Sequence, residues 1–221
     1  MADCYIVGAG DFDGQGFAPG AEDFVIAADG GYGHLAARGL PADLVVGDFD
    51  SSPAPDHPHV LRFPPEKDDT DLLLAVRLGL ERGYRRFFLF GGTGGARLDH
   101  TLANLQVLGF LRDRGAEGYL IGGGQVCAWL RDEALCFPAG YAGYFSIFAA
   151  GEAIASLTLR GLKYPLEGYR LTHTLPRGVS NEFLPGTPAE VRVQGGDALA
   201  LWELQAWSMP GRKQQAKEPL Q

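Results

Sequence analysis

The sequence predicts an α/β chain in which a parallel-sheet domain is followed by an all-β domain. Three observations carry this. Up to Gly124, short and wholly apolar runs alternate with helix-length segments that close on glycine. Beyond it, strand-like pieces recur with no helix between them. The change falls at the triple glycine Gly122-Gly123-Gly124. A length of 221 residues accommodates one large domain or two modest ones with ample core.

Taken in order, Cys4 to Gly8 is a buried first strand ended by glycine, and Phe24 to Ala28 is a second. Tyr32 to Arg38 reads as a short helix stopped by Gly39, and Leu44-Val45-Val46 as a third strand. Five prolines between Pro53 and Pro65 predict an irregular stretch. Asp69 or Thr70 is a good N-cap for a helix from Asp71 to about Arg82, closed by Gly83. Phe87 to Phe90 is a fourth strand, His100 to Arg114 a third helix, and Tyr119 to Ile121 a fifth strand. Continuous apolar strands alternating with helices imply a Rossmann-like parallel sheet covered on both faces, with ligands at the carboxyl ends of its strands. The later pieces are Gln125–Leu130, Tyr144–Ala149, Ile154–Arg160, Arg170–Leu175, Glu190–Gln194 and Ala198–Leu204, an all-β sandwich or barrel. The expected division is 1–124, 125–208, and a polar, disordered tail over 209–221.

Composition excludes several classes. Apolar content is 46% and charged content 21%, which suits neither a disordered nor a membrane chain. No apolar run approaches the ~20 residues of a membrane span. The start, MADCYIVGAG, reads directly as a strand, so no secretory leader is expected. Three cysteines without Cys-x-x-Cys spacing fit a reducing cytoplasm rather than a disulfide framework or zinc site. A pI near 5.1 disfavours nucleic-acid binding. The expected partner is small, and an anionic one would need a bridging metal.

The stretch from Gly47 to Asp71 holds seven carboxylates against two cations. Groups this dense repel unless a cation or protonation relieves them. Placed where one strand ends and a helix begins, the set can converge on a hard cation such as Mg²⁺, which keeps waters and shares its sites with phosphates. Gly91-Gly92-Thr93-Gly94-Gly95, followed by Arg97, is a strand-to-helix loop whose glycines let backbone N–H groups approach a phosphate. It lacks the ending of a Walker A loop. Asp99 opens the next helix, as a cap or as a ligand group. Gly178-Val179-Ser180-Asn181-Glu182 is a polar cluster that by composition alone is a turn.

Together, ADGG at 28–31, GDFDSS at 47–52, KDDTD at 67–71, GGTGGARLDH at 91–100 and GVSNEF at 178–183 resemble the thiamine pyrophosphokinases in order and spacing, over residues 1 to about 208. The resemblance implies transfer of pyrophosphate from ATP to the hydroxyethyl oxygen of thiamine, giving thiamine diphosphate and AMP. It implies a homodimer, with each active site between the α/β domain of one subunit and the β-sandwich domain of the other. On the matching motifs, Asp48, Asp50 and Asp71 would hold Mg²⁺ and orient the phosphates of ATP. Asp99 would stand near thiamine or its hydroxyl, with Ser180 and Asn181 on the substrate-binding surface of the β domain. Asp29 and Gly30 would belong to the nucleotide pocket with Gly92, Thr93, Gly94, Gly95 and Arg97. A pyrophosphokinase acting on a hydroxymethyl-pterin is the nearest rival, and the GVSNEF segment disfavours it.

Overall fold

A computed structural model of the chain describes residues 2–49, 55–64, 66, 68–95, 97–205 and 209–214. They divide into two compact units, Met1–Gly124 and Gln125–Gln221.

The first unit is built on parallel strands β1 (Cys4–Val7), β2 (Phe24–Ala28), β3 (Leu44–Gly47), β4 (Val60–Arg62), β5 (Arg86–Phe90) and β6 (Glu117–Gly122). Helices α1 (Gly31–Ala36), α2 (Asp71–Glu81) and α3 (Leu98–Asp113) lie between them in sequence. The spatial order is β4-β3-β2-β1-β5-β6, every pair parallel. The chain therefore steps outward from β1 to β4, then crosses back to lay β5 on the other side of β1. Neighbouring connections leave in opposite directions there, which makes the carboxyl ends of β1 and β5 the switch point of the sheet.

Local sequence explains each element. The apolar runs of β1 and β3 are buried at every position, as strands covered on both faces require. Helix α2 buries Leu72, Ala75, Val76 and Gly79, the i, i+3, i+4, i+7 stripe of an amphipathic helix. Its N-cap is Thr70, whose hydroxyl accepts the Leu73 N–H at 3.3 Å. Gly79 is needed by close packing, because a Cβ there would lie 2.6 Å from the Phe87 ring. No helix joins β1 to β2. That connection instead covers the sheet with Phe12 and Phe17, whose rings stand 5.9 and 5.4 Å from Phe90. Arg38 fixes the loop from outside, donating to the Phe12 carbonyl at 2.7 Å.

The second unit contains β7 (Gln125–Phe137), β8 (Tyr144–Ala149), β9 (Ala153–Arg160), β10 (Leu166–Thr172), β11 (Asn181–Glu182), β12 (Ala189–Glu203) and β13 (Gly211–Gln214). These strands pair with one another in antiparallel fashion. Strand β12 runs beside β7 throughout, pairs β9 through residues 190–194, and pairs β8 through residues 198–202. Between those partners its register shifts past Gly195 and Gly196. Phe137, Tyr141, Phe145, Phe183 and Trp202 form an aromatic core, with Phe137 4.9 Å from both Tyr141 and Phe183.

Four expectations need correction. Strand β4 lies inside the stretch read as irregular. The two pieces 190–194 and 198–204 are one bulged strand. The piece expected at Arg170–Leu175 is β10, beginning at Leu166 and ending at Thr172. Within the tail expected to be disordered, Gly211–Gln214 form β13 against β7, where Arg212 meets a buried acidic partner, while residues 215–221 lie outside the described residues.

Candidate active site

The site is assembled from the loops that leave the carboxyl ends of the parallel strands. Gly8 to Gly10 come directly after β1, Asp29 and Gly30 after β2, Asp48 and Phe49 after β3, and Gly91 to Gly95 after β5. A cavity of about 130 Å³ opens at the switch point. Its walls include Gly8, Gly10, Asp29, Asp71, Gly92 and Gly94, with Thr70, His100, Thr101 and Asn104 from the two helices. That volume suits a phosphate group better than a whole nucleotide, since pockets for larger ligands run to several hundred Å³.

The backbone is strained beside this cavity. Asp29 (φ 49°) and Phe49 (φ 53°) hold the left-handed conformation, which non-glycine residues adopt rarely and at a cost. Asp29 is kept there by its N–H, which donates to the Val46 carbonyl at 2.7 Å. Gly47 allows the approach, since a Cβ on it would lie 3.2 Å from the Asp29 Cα. Gly30, the N-cap of α1, sits against Ala9 in the same way.

The acidic residues distribute unevenly. Asp71, in the first turn of α2, is half-buried and faces the cavity with Asp29. Asp48 is half-buried at the end of β3, and its carbonyl accepts the Arg62 Nε–H at 3.3 Å. It is not part of the cavity wall. Asp50 lies outside the described residues. Asp69 is paired with Arg77 at 2.7 Å. Among the described residues no three carboxylate, imidazole or thiol groups are gathered closely enough to hold a metal. The donors at hand, Asp29, Asp48 and Asp71, are hard oxygens, and in that respect they fit a divalent cation that completes its shell with water and phosphate.

The glycine loop is tied inward through its carbonyls. Gly10 N–H donates to Gly91 O at 2.8 Å, Asp11 N–H to Thr93 O at 3.0 Å, and Asn104 Nδ2 to Gly92 O at 2.8 Å. Gly91 (φ 59°) faces Gly8 so closely that no side chain fits at either position. Gly94 and Gly95 (φ 74° each) hold the left-handed conformation that favours glycine, and a Cβ on Gly94 would also strike the Asp11 carboxylate. Arg97 is the N-cap of α3 and points at Asp99. The Arg97 hydrogen bond, and then the His100 N–H, hold the Asp99 carboxyl below the usual carboxylate range. Both side chains are exposed, and neither forms part of the cavity wall.

In the second unit, Ser180 is exposed with φ 56° and donates its N–H to Ser146 Oγ at 3.1 Å. Asn181 is 4% exposed. Its Oδ1 accepts the N–H groups of Tyr164 and Glu182, each at 2.9 Å, and its Nδ2 donates to the Tyr164 carbonyl at 2.8 Å. The asparagine thus clamps two backbone segments, leaving Ser180 as the outward-facing member of the pair.

Sequence reasoning passed over Thr70 as a wall residue, the glycines after β1, and Asn104. The glycines after β1 form a loose Gly-x-Gly whose spacing is not that of a dinucleotide fingerprint, and Asn104 is a polar residue amid the buried positions Val107, Leu108 and Leu111, one helical turn beyond His100.

Comparison with known proteins bears on the chemistry of this arrangement. Residues 20–119 match the family described as "Thiamin pyrophosphokinase, catalytic domain", and residues 135–196 match "Thiamin pyrophosphokinase, vitamin B1 binding domain". The thiamine pyrophosphokinase of Bacillus subtilis (strain 168) is 31% identical over 174 residues, covering 72% of this chain and 78% of that one. A crystal structure of the B. subtilis enzyme superposes with a TM-score of 0.81 at 27% identity, over 92% of this chain and 100% of the other. That of Geobacillus thermodenitrificans gives 0.77 at 27% identity, over 92% and 98%. The Candida albicans protein, 14% identical, shares the fold with a TM-score of 0.75 over 92% and 89%.

Proposed function

We infer the chemistry of this chain from the family it belongs to, the thiamine pyrophosphokinases: it is a thiamine diphosphokinase, passing the pyrophosphoryl group of ATP to thiamine. The observation that carries the site assignment is the switch-point cavity, where Asp29 and Asp71 face a glycine loop whose carbonyls are turned away into the protein. We read the first unit as a Rossmann-like ATP-binding domain and the second as a β-sandwich that contributes to thiamine binding through Ser180 and Asn181.

In the reaction the hydroxyethyl oxygen of thiamine bonds to the β-phosphorus of ATP. The bridge between the α- and β-phosphorus breaks, and AMP departs with the bridging oxygen. Such transfers depend mainly on positioning and on stabilising charge over the phosphoryl oxygens. Backbone N–H groups of Gly92 to Gly95 are the donors we assign to those oxygens. Gly30 and the Asp29 backbone shape the neighbouring wall of the nucleotide pocket. Asp48, Asp50 and Asp71 are the residues we assign to a divalent cation, taken to be Mg²⁺. When bound, such an ion supplies neutralisation of phosphate charge.

Asp99 has an electrostatic role of its own. Asp99, held ionised by Arg97, is a weak base but a good counter-charge for the cationic thiazolium of thiamine. The hydroxyl proton passes to a carboxylate of the site as the new bond forms.

We further propose a homodimer with its active sites at the subunit interface. Leu98 and Leu102, one helical turn apart on α3 beside Asp99, are 72% and 56% exposed, which supports a covering partner. A cytoplasmic location fits three free cysteines. Among the described residues no helix is long and apolar enough to cross a membrane.

The test is mass spectrometry of the purified chain with ATP, Mg²⁺ and thiamine, beside a reaction lacking thiamine. Thiamine diphosphate and AMP in equal amounts, dependent on thiamine, are expected. ADP or free phosphate as the product would overturn the reading. Sedimentation of the active species at the mass of a monomer would remove the dimer.

A further inference from the structure

We propose that Asn104 is a positioning residue for phosphoryl transfer: its side-chain amide holds the Gly92–Thr93 peptide in the orientation that presents the loop's N–H groups to ATP. The proposal rests on the assignment of the glycine loop to the ATP phosphates. Asn104 lies on α3 and is 7% exposed, among the apolar residues that pack the helix onto the sheet. A buried amide persists in such surroundings only when hydrogen-bonded. Its Nδ2 reaches off its own helix and twelve residues back, to the carbonyl of Gly92 at 2.8 Å.

Three consecutive carbonyls of the loop are held from three places. Gly91 O receives the Gly10 N–H, Gly92 O receives Asn104 Nδ2, and Thr93 O receives the Asp11 N–H. In a trans peptide the carbonyl of one residue and the N–H of the next point in opposite directions. Fixing these carbonyls therefore fixes the N–H groups of Gly92, Thr93 and Gly94. Among the described residues none of those three N–H groups donates to a backbone carbonyl outside the regular elements.

The middle peptide is the one that needs a latch. Gly91 and Thr93 are tied to the segment after β1, which crosses the loop directly. Gly92 has no side chain to resist rotation, and none would fit: a Cβ there would lie 2.7 Å from Leu120 Cδ1 and 3.3 Å from Asn104 Nδ2. Unlatched, the Gly92–Thr93 peptide can turn over and direct its carbonyl oxygen at an incoming phosphate. Repulsion would then replace attraction at the point where charge develops.

Three variants of the full chain test this. Asn104→Leu keeps the shape and removes the donor. It should lower kcat/KM for ATP by ~10- to 100-fold, the scale of a misplaced reacting group, while KM for thiamine stays within about twofold. Asn104→Asp discriminates the latch from a mere packing role. Its carboxylate cannot donate to Gly92 O, whereas its protonated form can. The ratio of Asn104→Asp to wild-type activity should therefore rise as pH falls, and the Asn104→Leu ratio should stay flat. Asn104→Leu with both ATP parameters within about twofold of wild type would overturn the proposal, as would identical pH-independent ratios for the two variants. Gly94→Ala separates this from the underlying assignment, because an alanine at φ 74° would also strike the Asp11 carboxylate. Unchanged ATP affinity in Gly94→Ala would mean that the loop does not bind phosphate. Weakened affinity there, beside a normal Asn104→Leu, would sink the latch alone. Should Asn104→Leu fail to fold, NMR of the wild-type chain decides. Adding a non-hydrolysable ATP analogue must shift the Thr93 amide and Asn104 Nδ2 resonances together, and no shift in either would overturn the proposal.

Discussion

Arg97 and Asp99 clasp each other in the first turn of α3, with Nε 3.2 Å from Oδ1 and Nη2 2.5 Å from Oδ2. The charge that the glycine loop would use to attract phosphate is thus shared with a carboxylate suited to a cationic substrate. Replacing Arg97 by Gln should raise the Asp99 titration midpoint toward the ordinary carboxylate range, read by carboxyl-carbon NMR. Because the native carboxyl is held low, the pair's contribution is present above the ordinary carboxylate pKa and fades as pH falls through the lowered value. An unmoved midpoint in the variant would show that the pair does not form in solution.

Asp71 both begins α2 and faces the cavity, so its two roles predict effects of different size. Asp71→Asn should reduce turnover by roughly 10²- to 10³-fold, on the scale of removing one preorganised electrostatic group. The loss of a negative charge near the helix N-terminus should cost only about 0.3–1 kcal/mol of stability. Turnover near wild type, in a variant whose thermal melt is nearly unchanged, would exclude Asp71 from the chemistry.

Arg212 of β13 reaches Glu133 of β7 at 3.1 Å, the two side chains being 7% and 0% exposed. Removing one member of a buried pair costs ~3–5 kcal/mol, whereas replacing both by apolar groups of similar size is often neutral. Arg212→Ala should therefore lower the unfolding midpoint in urea well beyond a typical surface change, and Arg212→Met with Glu133→Met should restore much of it. Equal stability of Arg212→Ala and wild type would mean that β13 does not dock in solution.

Burial raises the Cys4 thiol and pushes the Cys127 thiol up to about 12, so both stay protonated at neutral pH. A disulfide reagent applied to the folded chain at pH 8 should label Cys136, which is partly exposed, ahead of the other two. All three should react in denaturant. A thiol raised in the folded state stabilises it below the unfolded pKa and loses that contribution as pH climbs through the raised value. Native stability should accordingly fall between about pH 9 and 12. Rapid labelling of Cys4 under native conditions would contradict its burial.

Much of the first unit was legible because two-sided burial writes strands as unbroken apolar runs. The run at Phe24–Ala28 and the glycine loop after Phe90 needed no tertiary information. Strand β4 was hidden because it has only three residues, lies between prolines, and leaves Leu61 and Arg62 exposed. The Gly195-Gly196-Asp197 sequence reads equally as a turn or a bulge, and pairing with β7 on both sides decides for the bulge. Strand β13 is polar and shows no periodicity; its pairing with β7 and the buried contacts of Arg212 with Glu133 and the Trp129 carbonyl lie outside any local pattern. In the site, the glycine spacing and Asp71 lie at the switch point, whereas Asp48 is off the cavity wall and Asp50 lies outside the described residues. Asn104 escaped because its meaning lies in a carbonyl twelve residues away, which no local pattern encodes.

The position of β12 has a further consequence for how the chain is made. It pairs with β7, β8 and β9, yet almost all of the chain precedes it. During synthesis the parallel sheet of the first unit is complete once Gly122 has emerged. The second unit lacks its central strand until Glu203 is out of the ribosome. Strands β7 to β9 must wait meanwhile with their edges open, so a ribosome stalled between Gly122 and Ala189 would present a folded first unit attached to strands prone to pairing with another chain.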